Sequence, residues 1–169
     1  MIAMALLCEP ALLIADEPTT ALDVTIQAQV LRLMSDLQKQ TGMAILLITH
    51  DMGIVNQMAD DLCVIYGGRI AEYGNREQIF KNMAHPYTKL LFSSIPKLEK
   101  PNFLLDTIPG VVPSATDYNE GCRFLDRCPA QMEICKDESI SHVLTKGHQV
   151  TCHLQDKDCL LYTSPSPRD

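Results

Sequence analysis

The chain has 169 residues, of which 46% are hydrophobic and 21% are charged, a composition typical of one folded domain of ordinary size. Its formal net charge of -7 argues against a general nucleic-acid-binding protein, because no basic excess is available to neutralise phosphates. The apolar residues 1–15 lack a basic start, are interrupted by Glu9 and Pro10, and are fewer than the roughly 20 that a bilayer requires. We therefore predict that these residues are neither a signal peptide nor a membrane span, and that the chain is cytosolic.

A helix end and a buried strand are the first predicted elements. Residues 1–8 are apolar and rich in helix formers, and Glu9-Pro10 ends the helix that they predict. Residues 11–15 (ALLIA) form a short continuous apolar run between that proline and the acidic pair that follows. Such a run predicts a strand buried on both faces of a parallel sheet.

A second strand and two helices follow. Residues 25–40 place apolar side chains at helical spacing, and Gly42 stands where the glycine that ends a helix belongs. Residues 43–49 (MAILLIT) predict another buried strand, and residues 52–59 predict another helix. Because strands alternate with helices, we predict an α/β fold with a parallel sheet.

A pair of glycines marks a predicted hairpin. Residues 62–66 and 69–73 are predicted strands, and the two glycines between them supply the positive φ angles that a two-residue turn demands. Two short helices are then predicted over residues 76–83 and 86–94, the second with a proline in its first turn.

The composition changes after residue 95. Prolines and a glycine accumulate in residues 96–116, which predicts a linker or extended arm. Beyond it, residues 122–152 form a cysteine-rich segment too small to bury much core, so we expect it to be held together by whatever its cysteines bind. We therefore predict one domain over residues 1–95 and a C-terminal extension over residues 96–158.

The last stretch of the chain, residues 159–169 (CLLYTSPSPRD), departs in composition from everything before it. One back-translation of it resembles a transposon-end adapter used in sequencing libraries. We interpret the stretch as a read-through artefact and exclude it from fold reasoning. The alternative is a natural disordered tail.

Two carboxylates, Asp16 and Glu17, stand at the carboxyl end of the first predicted strand. Open α/β sheets place their ligands at this edge. One carboxylate can hold a hard cation such as Mg2+ while its neighbour faces a water, and phosphoanhydride hydrolysis requires that division of labour. The alternative is a solvated strand end, where acidic residues and proline are common.

The residues around this pair resemble a known series of motifs. The run LLIADEPTTALD, followed by LLITHD, resembles the Walker B, D-loop and H-loop series of ABC-transporter ATPases in order, spacing and residue type. The resemblance implies ATP and Mg2+ as cofactors, with Asp16 as the Mg2+ ligand and Glu17 as the general base. It further implies that Asp23 crosses to a second ATPase subunit and that His50 touches the γ-phosphate.

The phosphate-binding motif of that family does not occur in the chain. A search for G-x-x-x-x-G-K-[ST] finds no match, and residues 1–7 resemble the helix that follows the family's signature motif. We therefore expect a partial P-loop NTPase fold in a fragment of a longer protein. ATP should bind weakly to it or not at all, because the backbone N–H nest and the lysine that hold phosphates are missing.

Four of the seven cysteines, Cys122, Cys128, Cys135 and Cys152, follow the spacing C-x5-C-x6-C-x16-C. Zinc sites usually pair their ligands more closely, whereas an iron–sulfur cluster accepts thiolates from a looping chain. The surrounding run GCRFLDRCPAQMEICK resembles the C-terminal extension of oligopeptide and dipeptide importer ATPases, which implies a [4Fe-4S] cluster. Reduced, unliganded thiols and zinc are the alternatives.

Four basic residues near these cysteines, and two further cysteines, are not predicted to be ligands. We expect four basic side chains to be solvated or to support the ligands: Arg123, Arg127, His148 and His153. Cys8 and Cys63 lie in apolar runs and are predicted to be core residues.

The stretches HPYTKLLFSSIP and IPGVVPS also resemble the oligopeptide importer subfamily. The resemblance implies an ATP hydrolase that drives peptide import at the inner face of the cell membrane, with nickel as the alternative solute. Its partners would be a second ATPase subunit, identical or related, transmembrane permease subunits and, indirectly, a solute-binding protein. The rival functions are a metal- or redox-sensing module centred on the cysteines, and a DNA-repair ABC ATPase, which the acidic charge disfavours.

Overall fold

The computed structural model of the protein describes the backbone of residues 2–94, 108–118 and 120–156 and, from residue 4 onward, their side chains. The chain packs as two compact units, the N-terminal unit (residues 1–59) and the C-terminal unit (residues 60–169). The predicted α/β class is confirmed, with a parallel sheet in the first unit and an antiparallel sheet in the second.

The N-terminal unit contains three helices and two strands within its described residues. In chain order they are α1 (Ile2–Leu6), β1 (Leu12–Asp16), α2 (Val24–Thr41), β2 (Ala44–Ile48) and α3 (Met52–Met58). The strands β1 and β2 are parallel neighbours, with Leu12 opposite Ala44 and Asp16 opposite Ile48. These elements and the parallel pairing confirm the sequence prediction for this part of the chain.

Helix α2 has clear start and stop signals. Asp23 accepts hydrogen bonds at its N-terminus, and Gly42 ends it in the left-handed conformation with φ of 72°. Met34, on this helix, is completely buried in a core that it shares with Leu13 and Ala15 of β1. Helix packing therefore covers the sheet face on which Leu13 and Ala15 lie.

The opposite face of this two-stranded sheet is exposed. Leu12 and Ile14 of β1 are 50% and 61% exposed, and Leu46 and Ile48 of β2 are 50% and 46% exposed. The prediction of strands buried on both faces is therefore wrong for the described residues. Alternating side chains point to opposite faces of a sheet, and the described helices pack on only one of them.

The C-terminal unit is built on a four-stranded antiparallel sheet with the order β3-β4-β6-β5. Its strands and helices are β3 (Asp61–Tyr66), β4 (Arg69–Asn75), α4 (Arg76–Lys81), α5 (Pro86–Ser93), β5 (Ser141–Thr145) and β6 (His148–Thr151). Short 3-10 turns cover Leu125–Arg127, Glu133–Lys136 and His153–Gln155. The predicted hairpin and the two predicted short helices are confirmed.

The hairpin turn between β3 and β4 depends on its glycines. Gly67 and Gly68 have φ angles of 56° and 79°, which side-chain-bearing residues rarely adopt. A Cβ at Gly67 would also lie only 2.8 Å from the ring of Tyr118. Both the backbone angle and the close approach therefore require glycine at this position.

Strands β5 and β6 were not predicted from the sequence. Strand β6 pairs with β4, where Glu72 lies opposite Val150 and Tyr73 opposite Gln149. Val150 and Phe124 are fully buried, so the cysteine-rich segment contributes to a hydrophobic core. The expectation that this segment buries little core is wrong, because pairing with the β3–β4 hairpin supplies the missing packing surface.

Several predicted features lie outside the described residues. The predicted domain boundary near residue 96, with most of the predicted linker, falls within residues 95–107, and the suspected adapter-derived stretch falls within residues 157–169. Among the described helices, none combines the length and the apolar character needed to cross a membrane.

Candidate active site

Glu17 is the first residue after β1, and its backbone adopts an unusual conformation. Its φ of 47° lies in the left-handed region, as does the φ of 65° at Ala21. Left-handed backbone at a residue with a side chain costs about 1 to 3 kcal/mol and clusters at functional sites. The Glu17 N–H donates to the Ile48 carbonyl at 2.9 Å, which ties this strained turn to the end of β2.

The structure brings Glu17 and His50 into direct contact. Because β1 and β2 are parallel neighbours, the residues that follow their carboxyl ends meet at one edge of the sheet. Glu17 Oε1 lies 2.6 Å from His50 Nδ1. The two side chains are 38% and 82% exposed, so both are open to solvent in the N-terminal unit.

Thr20 is a third member of this site, and the sequence reasoning missed it. Its hydroxyl donates to Glu17 Oε2 at 2.7 Å, on the carboxylate oxygen that does not contact His50. The Thr20 N–H also donates to the Glu17 carbonyl at 3.1 Å, which closes a tight turn. A hydroxyl three residues after the predicted general base is the signal that was available, but threonine is common in turns for other reasons.

The hydrogen bonds at this site shift both titrating groups towards their charged forms. The Thr20 hydroxyl and, next, His50 lower the pKa of the Glu17 carboxyl below its usual range. The Glu17 carboxylate raises the pKa of the His50 imidazole above its usual range. The exposed carboxylate can accept a proton from water, and the neighbouring imidazole, when it carries a proton, can donate a hydrogen bond to an anion.

Asp16 is the last residue of β1, directly before Glu17, and it is exposed. Among the residues that the structure describes, no group of three or more Asp, Glu, His or Cys side chains is arranged to hold a metal ion. Magnesium in nucleotide enzymes binds through one or two carboxylates, together with substrate phosphates and waters. One exposed carboxylate at Asp16 fits that mode of binding, whereas a closed protein cage for the metal does not exist in the described residues.

Asp23 has a local role that the sequence reasoning did not assign. Its Oδ1 accepts hydrogen bonds from the backbone N–H groups of Thr25 and Ile26, both at 3.0 Å. These bonds cap the N-terminus of α2. The predicted role of Asp23 at a second subunit stays a prediction, since the structure contains a single chain.

Asp51, the residue after His50, accepts hydrogen bonds from two helices. Its Oδ1 accepts from the backbone N–H groups of Gly53 and Ile54, which caps α3. Its Oδ2 accepts a longer hydrogen bond, 3.4 Å, from the amide of Gln27 on α2. The loop that carries His50 is therefore anchored at its base.

A second glutamate–histidine pair lies in the core of the C-terminal unit. Glu72, on β4, is completely buried, and its two oxygens accept hydrogen bonds from the backbone N–H groups of Ala84 and His85 at 2.8 and 2.9 Å. Its Oε1 also contacts His148 Nε2 at 2.8 Å. Glu72 therefore joins β4, β6 and the start of α5, and the sequence reasoning did not identify it.

His85 caps α5 as a neutral imidazole. Its Nδ1 accepts a hydrogen bond from the Tyr87 backbone N–H at 3.0 Å. Burial lowers the pKa of His85 to about 4, and the charge of Glu72 only partly opposes this. The interpretation of HPYT as a capped helix start is confirmed, with Pro86 in the first turn.

The four basic residues near the cysteines are engaged in the fold. Arg123 donates to the Gly67 carbonyl and Arg127 donates to the Pro109 carbonyl at 2.8 Å. His148 and His153 are both buried, so of the two roles expected for them the solvated one is excluded, and support of the ligands stays a prediction. His148 is buried because it pairs with Glu72, and such a long-range contact leaves no local signal in the sequence.

The four predicted cluster ligands line one small cavity. Its volume is about 10 Å3, room for about one water molecule, and its walls include Cys122, Cys128, Cys135, Cys152, His85 and His153. Burial raises the pKa of the Cys122 and Cys128 thiols, and raises that of Cys152 to about 11. The thiols converge, yet the described residues contain no group arranged to hold a metal, so the predicted [4Fe-4S] cluster and the zinc alternative are not supported.

Two other cysteines differ from the prediction. Cys8 and Cys63 are exposed, so their assignment to the core is wrong. Cys63 lies on β3 between the buried residues Leu62 and Val64, and strand alternation places it on the opposite face.

The chain is similar to proteins of one transporter family. The family model described as oligopeptide/dipeptide transporter, C-terminal region, matches residues 71–135. The dipeptide transport ATP-binding protein DppD of Bacillus subtilis is 48% identical over 158 residues, which are 93% of this chain and 47% of the relative.

Two further relatives give the same result. The oligopeptide transport ATP-binding protein AppD of Bacillus subtilis is 47% identical over 159 residues, 94% of this chain and 48% of the relative. The oligopeptide transport ATP-binding protein OppD of Salmonella typhimurium is 45% identical over 152 residues, 90% of this chain and 45% of the relative. The chain therefore spans about half the length of the curated relatives that it matches.

Proposed function

Because the chain belongs to the oligopeptide/dipeptide transporter family of ATP-binding proteins, we propose that it is part of an ATPase subunit that couples ATP hydrolysis to peptide import. The observation that carries this proposal is the contact of 2.6 Å between Glu17 and His50 at the joint edge of β1 and β2. A carboxylate and an imidazole placed together at such an edge can divide the tasks of phosphoanhydride hydrolysis.

We assign separate roles to the residues of this edge. Glu17 orients the attacking water and accepts its proton, and its exposed carboxylate is available for both tasks. His50 donates a hydrogen bond to the terminal phosphate. Asp16 contributes a carboxylate oxygen to Mg2+, which when bound neutralises the charge that develops on the phosphates.

The phosphate cradle of the ATP site has no counterpart in the 169-residue sequence, which contains no P-loop motif. We propose that this chain on its own binds ATP weakly and does not turn it over, since backbone N–H groups and a lysine carry most of the affinity for phosphate. In the proposal, the remaining half of the length of the relatives supplies that cradle.

The proposed partners follow from the printed functions of the relatives, which are dipeptide and oligopeptide transport. We propose a second ATPase subunit contacted near Asp23, permease subunits in the membrane and, through them, a solute-binding protein. The chain would act at the cytoplasmic face of the membrane, without nucleic acid. The relatives favour peptides over nickel as the transported solute.

A [4Fe-4S] cluster at Cys122, Cys128, Cys135 and Cys152 is a separate and finer proposal. The convergence of the four thiols on one cavity supports it, and the absence of a metal-holding group among the described residues counts against it. Iron analysis after anaerobic purification decides the matter. Iron that is present in the chain and lost in Cys128→Ser would support a cluster, whereas a chain without iron leaves the thiols as small packing residues.

Uptake of labelled dipeptide tests the main proposal. We suggest a hybrid in which residues 1–158 replace the matching part of the Bacillus subtilis dipeptide transport ATP-binding protein, expressed in cells that lack the natural protein. The hybrid should restore uptake, and Glu17→Gln should abolish it. The matched control is Glu77→Gln, which changes an exposed glutamate paired with Lys81 and should leave uptake intact.

The same experiment separates the rival function. Uptake that survives Glu17→Gln and is lost with Cys128→Ser would contradict the ATPase proposal. It would instead favour a sensing module centred on the cysteines.

A further inference from the structure

Both carboxylate oxygens of Glu17 are held, each by a different side chain. Oε1 contacts His50 Nδ1 at 2.6 Å, and Oε2 accepts from the Thr20 hydroxyl at 2.7 Å. We propose that Thr20 is a positioning residue for Glu17, and that its hydroxyl fixes the plane of the carboxylate that acts on the attacking water. This inference rests on the proposed ATPase function.

The turn that carries Thr20 gives its hydroxyl a defined place. The Thr20 N–H donates to the Glu17 carbonyl at 3.1 Å, and the Leu22 N–H donates to the Thr19 carbonyl at 3.1 Å. Thr19 is buried, which anchors the middle of the turn. A threonine also has few side-chain rotamers, because its Cβ is branched. The backbone hydrogen bonds of the turn therefore hold Thr20 where its hydroxyl can reach the Glu17 carboxylate.

The direction of the hydrogen bond is fixed by chemistry. An ionised carboxylate only accepts, so the Thr20 hydroxyl must be the donor. Its acceptor, the Glu17 side chain, is 38% exposed and would otherwise rotate among several rotamers. With His50 alone, the carboxylate is held at one oxygen and can turn about that contact. With Thr20 as well, both oxygens are held, and the geometry that a general base requires is maintained.

A purely structural role for Thr20 makes a different prediction. If the hydroxyl only stabilised the turn, Thr20→Val would reduce the amount of folded protein without lowering the kcat of the molecules that remain folded. Thr20→Ser keeps a hydroxyl at the same position and should rescue the effect on Glu17. Thr116→Val is a matched control, because it removes another exposed hydroxyl that donates to a carboxylate, in this case Asp117 at 2.9 Å.

The test is the split between kcat and KM for ATP hydrolysis by the purified hybrid protein. We expect Thr20→Val to lower kcat about tenfold and to leave the KM for ATP unchanged, because one hydrogen bond to a charged group that acts in the chemical step is lost. Thr20→Ser should restore kcat, and Thr116→Val should change neither constant. An unchanged kcat in Thr20→Val, or a Thr20→Ser variant as impaired as Thr20→Val, would overturn the inference.

A second measurement keeps the inference testable if the valine variant of the hybrid does not assemble. NMR relaxation in the 169-residue chain should show a more mobile Glu17 side chain in Thr20→Val than in the unchanged chain, and an unchanged mobility would again overturn it. A different result would contradict the base role proposed for Glu17. A hybrid that hydrolyses ATP normally with Glu17→Gln contradicts that role, whereas loss of activity in that variant with normal Thr20→Val contradicts only the positioning role of Thr20.

Discussion

The chain contains two glutamate–histidine pairs with similar geometry in contrasting surroundings. Glu17 and His50 are 2.6 Å apart at an exposed strand edge, and Glu72 and His148 are 2.8 Å apart in the core. The side chains of the buried pair are only 0% and 3% exposed. The distance between glutamate and histidine therefore does not distinguish a functional pair from a pair that only stabilises the fold. The surroundings of each pair make that distinction.

The two carboxylates differ in whether a further ligand can reach them. Glu72 accepts two backbone N–H groups as well as His148, and no solvent reaches it. A buried carboxylate with this many donors stabilises the fold and has no room for a ligand. Glu17 contacts two side chains and remains open to solvent, so a water or a phosphate can approach it.

The largest expected effect is on the buried pair. Glu72→Gln should destabilise the C-terminal unit by about 4 kcal/mol, because an amide cannot accept from all the donors that now face the carboxylate. Urea unfolding followed by tyrosine fluorescence measures this. Glu77→Gln, which changes an exposed ion pair with Lys81, is the control and should cost less than about 1 kcal/mol. Equal effects of the two substitutions would show that the contacts of Glu72 do not stabilise the C-terminal unit.

The next effect is the acid sensitivity of His85. Its folded pKa is lowered to about 4 from 6.5, so the unfolded chain binds more protons between these values. Stability should therefore be complete above pH 6.5 and fall as the pH drops towards 4, by at most about 3 kcal/mol. His85→Asn keeps a capping side chain and removes the titration. The same dependence of stability on pH in His85→Asn would contradict the attribution of this acid sensitivity to His85.

The helix cap beside the exposed site should have a smaller effect. Asp23→Ala removes the acceptor for two backbone N–H groups at the start of α2 and should cost about 1 kcal/mol of stability. Asp23→Asn keeps a capping oxygen and should cost much less. Thermal unfolding by circular dichroism measures both. If the two variants are equally destabilised, Asp23 does not stabilise the chain through this cap.

The smallest effect on stability belongs to the exposed pair, whose titration is nevertheless measurable. The pKa of Glu17 is lowered from 4.5, so its contribution is present above that pH and lost as the pH falls through the lowered value. The pKa of His50 is raised from 6.5, so its contribution is present below that pH and lost as the pH rises through the raised value. NMR titration of His50 should show this rise and its disappearance in Glu17→Gln. A His50 pKa that is unaffected by the substitution would show that the contact does not form in solution.

Local signals explain which elements the sequence predicted correctly. The apolar periodicity of α2, the glycine after it and the paired glycines of the β3–β4 hairpin each act within a few residues. The approach of Glu17 to His50 was also predictable, because it follows from two parallel strands with consecutive carboxyl ends. The sequence therefore predicts the exposed pair well.

Long-range contacts explain what the sequence did not predict. Glu72 and His148 are separated by 76 residues, and the sequences of β5 (SHVLT) and β6 (HQVT) do not alternate between apolar and polar residues. Burial of His148 and of the cysteine-rich segment depends on pairing between β4 and β6. Thr20 was missed for another reason, since its role depends on the direction of one hydroxyl within a turn.

Single-turnover ATP hydrolysis by the purified hybrid protein tests the central claim most directly. The claim is that Glu17 at the exposed edge acts on the water that attacks ATP. Glu17→Gln should lower the rate of the chemical step at least about 100-fold while ATP still binds, because it removes a general base. A Glu17→Gln hybrid that hydrolyses ATP at the rate of the unchanged hybrid would contradict the account.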